Sequence, residues 1–240
     1  MGARCVRAQQ RSLGGENDAP GRNISRFLDG LADRLKIGLD VRQIWRNDRF
    51  GRGGDHTELL NAGYPAVRFT VAVENYDWQH QDVRTEKGKH YGDTVDHMDF
   101  PYLAKVAKLN IAALAAMASA PPPPEPKVEG AVSTDTTITF PIVFADRYLV
   151  RWRRTDANQW EHSHWVVRSS ETDPVTTRSC WMDSLILTGA RPTCTVLLPH
   201  IRVDDWVFGV SSVSKDGFES PVASAVPGGA FHPYIAPDQK

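Results

Sequence analysis

The 240-residue chain is 41% hydrophobic and 24% charged, with a formal net charge of −1, the balance of a globular protein and not of a disordered or fibrous one. Neither half is strongly basic, which argues against nucleic acid as a partner, and no apolar run reaches the roughly 18–20 residues of a membrane span. At about 100–150 residues per domain the length allows two domains.

The opening Met1–Leu13 carries Arg4, Arg7 and Arg11 without the apolar stretch of a signal peptide. Asn17 or Asp18 is placed to cap a first helix that has Pro20 in its first turn. Ile24, Phe27, Leu28, Leu31 and Leu35 then follow the three-and-four spacing of one buried face, and Gly38 ends the helix. Val41–Trp45 reads as a strand, Thr57–Ala62 as a short helix closed by Gly63, and Ala66–Thr70 as a second strand after Pro65. Asp99 is placed to cap a long helix from Phe100 to Ala118. Apart from Lys105, Lys108 and Asn110 it is apolar almost all round, which predicts that most of it is buried. Residues 1–120 thus carry part of an α/β layered sheet, with too few strand segments for a complete one.

Five of the six residues from Pro121 to Pro126 are proline, a composition that fits neither a helix interior nor a central strand. Residues 121–127 are therefore read as a linker, a protease-accessible hinge that few contacts cross. Over residues 128–240 the pattern changes to short strands: Thr136–Phe140, Arg147–Arg153, Glu161–Val167, Cys194–Leu198 and Trp206–Val213. Tyr148, Val150 and Trp152 alternate with Arg147, Leu149, Arg151 and Arg153, the two-residue period of a strand with one buried face. Lys215-Asp216-Gly217 is a turn signal. Roughly seven short strands in about 100 residues describe a β-sandwich. The order Tyr-x-Val-x-Trp, then Trp-x-Phe-x-Val, Asp-Gly and Glu-Ser, resembles the fibronectin type III fold over Pro126–Pro227. That resemblance implies spacing or binding and not catalysis.

No Cys-x-x-Cys, His-Glu-x-x-His, Gly-x-Ser-x-Gly or phosphate-loop pattern occurs. In Arg52–Glu58 a glycine pair leads to Asp55, His56 and Thr57 at a helix start. Either Asp55 or Thr57 caps that helix with His56 a loop residue, or the group faces a ligand. In Glu74–Asp82, just after a strand end where α/β sheets usually bind ligands, His80 with Asp82 nearby suits a metal ligand with a carboxylate orienting or balancing it. A solvated loop histidine is the plainer alternative. His162 and His164 alternate within Glu161–Trp165 and reach one face, and the tryptophans of the second half are read as sandwich core. Cys180 and Cys194 are the two cysteines of the second domain and candidates for a disulfide, leaving Cys5 unpaired.

Asp55-His56-Thr57-Glu58-Leu59-Leu60-Asn61-Ala62-Gly63-Tyr64-Pro65-Ala66-Val67-Arg68-Phe69, then Gln79-His80-Gln81-Asp82-Val83, Tyr91-Gly92-Asp93 and Asp99-Phe100-x-Tyr102-Leu103 occur in that order. Together they resemble the C-terminal half of the di-zinc metallopeptidases of the twenty-eighth family, which includes bacterial leucyl aminopeptidases, glutamate carboxypeptidase II and the catalytically silent transferrin receptor. The resemblance covers Asn17–Ala120 and implies an incomplete three-layer α/β zinc-peptidase domain. In that family two zinc ions, bridged by a carboxylate, activate a water on which a Glu acts as general base, for removal of N-terminal residues from peptide substrates. His80 matches the last His ligand of the set. His90 is the rival, because His90-Tyr91-Gly92-Asp93-Thr94 is similar to another form of the same loop, one residue short. Asp82, Asp55 and His56 are expected beside the same cleft, and Gln79 stands where the family has a carbonyl-polarising Tyr. The family's other ligands and its Glu base lie N-terminal to the matched stretch, so this chain by itself is expected to bind zinc weakly and to hydrolyse no peptide. It is either a portion of a working aminopeptidase or a non-catalytic remnant whose sandwich binds protein or polymer. The resemblance further implies a secreted or periplasmic setting.

Overall fold

A computed structural model of the chain describes residues 17–44, 54–167, 178–180 and 192–227. Helix α1 (Pro20–Arg34) starts with Pro20 at its first position, and its N-cap is Ala19 with no side-chain cap. The expected cap at Asn17 is absent because that side chain is used elsewhere: its amide donates to Thr155 O at 3.0 Å and its Oδ1 accepts from Arg26. Helix α2 (Asp55–Asn61) is capped by Gly54, whose N–H points at Thr57 Oγ1 at 3.5 Å. Thr57 therefore serves the cap from inside the helix, and Asp55 is its first residue. Strands β1 (Arg84–Glu86) and β2 (Lys89–Tyr91) pair as a hairpin. Its two turn residues, Lys87 and Gly88, have φ of 51° and 79°, the positive pair that a two-residue type I′ turn requires. A single 3-10 turn (Val95–His97) leads into helix α3 (Phe100–Ser119), where Asp99 Oδ1 accepts from Tyr102 N at 2.9 Å, the cap read from the sequence.

Helices α1 and α3 share a small core of Leu28, Leu31, Ala32, Leu109 and Ala113, rimmed by Ile24, Phe27, Ala116 and Met117. Three expectations differ from what is observed here. Residues 41–44 and 66–70 lie in no strand, because among the described residues no neighbouring strand offers them a ladder, and a strand exists only by pairing. Trp45 lies outside the described residues. Helix α3 is mostly uncovered: Leu109 and Ala113 are its buried residues, while Ile111 and Leu114 each stand 67% exposed. Leu35, expected on the buried face of α1, falls just beyond the helix and is exposed.

The second half is a sandwich of two sheets. Its strands are β3 (Lys127–Glu129), β4 (Thr136–Pro141), β5 (Arg147–Arg154), β6 (His162–Val167), β7 (Arg178–Cys180), β8 (Thr193–Leu198), β9 (Trp206–Val213), β10 (Ala223–Ser224) and β11 (Val226–Pro227). One sheet runs β10-β9-β5-β6 and the other β11-β3-β4-β8-β7, antiparallel throughout except for the β11–β3 pair. Ile138, Phe140, Tyr148, Val150, Val166, Val196, Phe208 and Val210 fill the space between them. The Phe140 and Tyr148 rings lie 5.0 Å apart and tilted. The Tyr148 hydroxyl, buried with its ring, donates to Val143 O at 2.8 Å and accepts from Val143 N at 3.0 Å, so its burial leaves it satisfied. Gly217, at φ 88°, turns the chain back after β9.

Strand β5 is buried on both faces, not one. Tyr148 and Val150 point into the sandwich, and Leu149 and Arg153 are buried as well. On that outer side α1 turns polar side chains to β10 and to the turn that follows β5. Asn23 Nδ2 donates to Ser224 Oγ at 2.8 Å, Arg26 Nε to Asn158 O at 2.8 Å, and Gln159 Nε2 to Asp29 Oδ2 at 2.6 Å. The Arg153 guanidinium, fully buried, spans the main-chain carbonyls of Arg154, Ala157 and Asn17 at 3.1–3.3 Å. Burial lowers the pKa of Arg153, and it lowers that of Arg26 to about 10, helped by the nearby charges of Arg153 and Arg22. The proline segment is likewise held to the sandwich. Ser212 Oγ donates to Pro122 O at 2.6 Å, with Pro121 O at 3.1 Å, and Pro124 and Pro126 are buried. Contacts cross the 121–127 boundary that the sequence reads as a loose hinge. Among the described residues no helix is long and apolar enough to cross a membrane.

Candidate functional site

Of the residues singled out for chemistry, His80, Asp82 and His90 lie on one surface loop, 74–82, and the hairpin behind it, whereas Asp55 and His56 lie on α2. Asn75 starts the loop: its Oδ1 accepts from Asp77 N at 3.0 Å and its carbonyl accepts from Gln79 N at 3.1 Å, an Asx turn that needs no neighbouring strand. The hairpin then fastens it. Gly92 N donates to Asp77 O at 3.0 Å, and Lys89 Nζ lies 2.7 Å from Asp77 Oδ2. The hydrogen bond to Asp77 raises the Lys89 pKa. Gly92 is required where it stands, with φ 115° and an added Cβ only 2.7 Å from Val83 Cα. From the other side the Trp78 indole stacks on His97 with centroids 4.0 Å apart and planes 5° from parallel.

His80 closes this loop in the left-handed region, at φ 57°, and its side chain is exposed. A non-glycine residue in that region is held there by its surroundings, here by the Asn75 turn before it and by Gln81, whose Nε2 donates to Tyr76 O at 3.0 Å. Asp82 is exposed, and its carbonyl together with Gln81 Oε1 faces Arg84 Nη1. His90 sits on β2 with Nδ1 2.9 Å from Thr85 Oγ1 across the hairpin, so a hairpin contact accounts for one of its two nitrogens. His56 is half-buried on α2 with Nδ1 enclosed and unbonded among the described residues, and Asp55 is exposed beside it. Glu74 receives the Tyr76 hydroxyl at 2.8 Å.

The chemistry of this donor set is limited. Among the described residues no three His, Cys, Asp or Glu side chains converge where a metal ion could sit. A zinc ion needs three or four protein ligands, so the residues present do not fit one by themselves. His80 is exposed to solvent. A groove of about 250 Å³ exists elsewhere, between α1 and the sandwich, bordered by Arg26, Phe27, Arg151 and Trp160 and by no residue of the 74–98 region. The Trp78–His97 stack and the Lys89–Asp77 pair are not foreseen from the sequence. Their only trace there is that Trp78 precedes one matched block and Gly92 lies within another.

In the sandwich, His162 stacks on Trp152 at 5.4 Å and meets Trp206 edge-on at 5.2 Å. Trp152 and Trp206 pack against the core, as read for the tryptophans, but Trp165 is 47% exposed and Trp160 borders the groove against α1. Cys194 is disulfide-bonded and stands directly opposite Cys180 in the β7–β8 ladder. The Cys180 side chain lies outside the described residues, as does Cys5.

No protein-family model matches the chain. It is similar to curated fungal proteins. One, from Pyrenophora tritici-repentis, is 36% identical over 233 residues, covering 92% of this chain and 42% of its own length. A second, from Leptosphaeria maculans, is 39% identical over 223 residues, covering 93% of this chain and 47% of its own. A third, from Pyricularia oryzae, is 33% identical over 233 residues, covering 92% and 41%. All three are named probable zinc metalloprotease. The match runs through both halves, sandwich included, and the chain spans less than half the length of these relatives. The chain is a homologue, along nearly all of its own length, of fungal proteins named as probable zinc metalloproteases.

Proposed function

We propose that the chain supplies the C-terminal part of a di-zinc aminopeptidase of the twenty-eighth metallopeptidase family, with His80 as its metal-ligand position and peptides as substrate. The remaining ligands and the general base belong to polypeptide beyond the stretch that this chain matches in its relatives. The observation that carries this reading is the presentation of His80. It stands at φ 57° on a loop fastened by Asn75, Gly92, Lys89 and the Trp78–His97 stack. A metal ligand must be held to within a fraction of an ångström of its partners, and a fastened loop meets that need. Asp82 and the His56–Asp55 pair border the cleft that the added polypeptide closes.

The sandwich acts in this reading as a fibronectin type III-like appendage fixed to the peptidase part. The disulfide-bonded state of Cys194, with Cys180 opposite, supports a secreted protein in an oxidising compartment. Opposed residues in an antiparallel pair have Cα atoms roughly 4.5–5.5 Å apart, inside the span a disulfide tolerates. A Cys180–Cys194 cross-linked peptide in a non-reducing digest of exported protein is the expected finding.

The test joins the chain to the preceding part of the Leptosphaeria maculans relative and measures zinc content and aminopeptidase turnover, with the unjoined chain as control. Two zinc ions per joined chain, and turnover abolished by His80→Ala with His90→Ala tolerated, are expected. Turnover indifferent to His80→Ala refutes the assignment. A joined chain that folds yet holds no zinc favours the second reading, a non-catalytic protein- or polymer-binding module.

A further inference from the structure

Helix α3 is apolar on two opposite faces, and only one of them is covered. Leu109 and Ala113 pack on α1. Phe100, Leu103, Ala107, Ile111, Leu114 and Ala118 follow one another at three- and four-residue steps, which puts them on the far side. Phe100, Leu103, Ile111 and Leu114 stand 46–67% exposed. A surface helix carries polar residues on its outer face. A contiguous uncovered apolar stripe marks an interaction site in a way that scattered single residues do not. Lys105, one turn before Leu109 and so on the α1-facing side, donates to Gly38 O at 3.2 Å.

The run Ala66–Val73 supplies an independent observation. Val67, Phe69 and Val71 alternate with strand periodicity. Val67 rests against the α1–α3 core, Phe69 and Val71 are 39% and 45% exposed, and the run joins no ladder among the described residues. The relatives add a third. More than half of each polypeptide, 58% in Pyrenophora tritici-repentis and 53% in Leptosphaeria maculans by difference from the 42% and 47% covered, lies outside the matched stretch.

We infer that the outer stripe of α3 and the 66–73 run form one docking surface, and that its occupant is the portion of the metalloprotease polypeptide those relatives carry beyond the match. That portion lays an apolar layer on Phe100, Leu103, Ile111 and Leu114 and a strand beside residues 66–73, so a run with strand character becomes a strand on assembly. The inference rests on the reading of this chain as part of a larger peptidase fold, but it concerns the assembly surface and not the metal.

The probe is the part of the Leptosphaeria maculans protein that precedes its matched stretch, mixed with the 240-residue chain. Expected are a one-to-one complex in sedimentation and slowed amide exchange at 66–73 and along α3. The exposed-site pair Ile111→Glu with Leu114→Glu should weaken binding about tenfold or more by placing charge in an apolar contact, while leaving the sandwich's melting unchanged. Absence of a complex, a complex indifferent to the double variant, or protection confined to the sandwich overturns the inference. So does a homodimer of the chain alone that the same variant dissolves. A single-chain fusion gives the same exchange reading when the separate probe does not stay dispersed, and unprotected 66–73 in that fusion also overturns it. Zinc content separates the two readings. A variant-sensitive complex without zinc keeps the docking surface and removes the peptidase assignment. A fusion that binds zinc regardless of the variant removes the docking surface and keeps the assignment.

Discussion

The sandwich and the helical half solve the same problem with different means. In the sandwich, every strand that carries an apolar face finds a facing sheet within the next hundred residues, and Phe140, Tyr148, Val150 and Phe208 end at 2% exposure or less. In the first half the apolar residues are as plentiful, yet Phe100, Ile111 and Leu114 of α3 remain in solvent. Hydrophobic content therefore does not decide burial. What decides it is whether the chain also supplies the opposing surface, and among the described residues of the first half α1, with Ile37, Leu39, Val41 and Val67 at the rim, covers one face of α3 and leaves the other.

Stability measurements on the whole chain can sharpen or break this contrast. Phe140→Ala removes a ring from the closed core and is expected to cost about 4 kcal/mol in urea unfolding followed by tryptophan fluorescence. Arg153→Ala leaves the carbonyls of Arg154, Ala157 and Asn17 facing a void at the junction of the halves. Its expected cost is about 3 kcal/mol, with Arg153→Lys recovering only part because the planar fork is lost. Leu109→Ala in the small helical core is expected to cost about 2 kcal/mol, the low end for such a change, because an open site collapses more easily. Leu114→Ala, five residues further along the same helix, is expected to change stability by less than about 0.5 kcal/mol. Equal losses at Leu109 and Leu114 would erase the distinction between a covered and an uncovered face of α3, whereas a loss at Leu114 confined to high protein concentration would point to self-association.

The sandwich was legible because its signal is local. Alternation in Arg147–Arg153 or Trp206–Val213 needs no knowledge of distant residues, and those strands end within one residue of where the pattern puts them. The strands β3, β7, β10 and β11, two or three residues each, are too short to carry a period. The docking of α1 was illegible for a different reason. Nothing local marks Asn23 and Arg26 for burial, which depends on Ser224 and Asn158, more than 130 positions away in the chain. Val41–Trp45 and Ala66–Thr70 have strand composition, but composition cannot provide a neighbour. At the candidate site, His80 and Gly92 were readable from blocks of sequence. The stack of Trp78 on His97 was not, since nothing local foretells which of eight histidines meets a given indole.

The anchoring of the proline segment has a mechanical consequence. With Ser212 holding Pro122 and with Pro124 and Pro126 sunk into the sandwich, the connection behaves as a strut and not as a tether. A pull on the sandwich reaches α1 and α3 along two parallel routes, the strut itself and the Arg26–Asn158 seam. If the sandwich is fastened to a surface, the bearing of the 74–82 loop relative to that surface is set when the chain folds. It does not wander with a swinging arm.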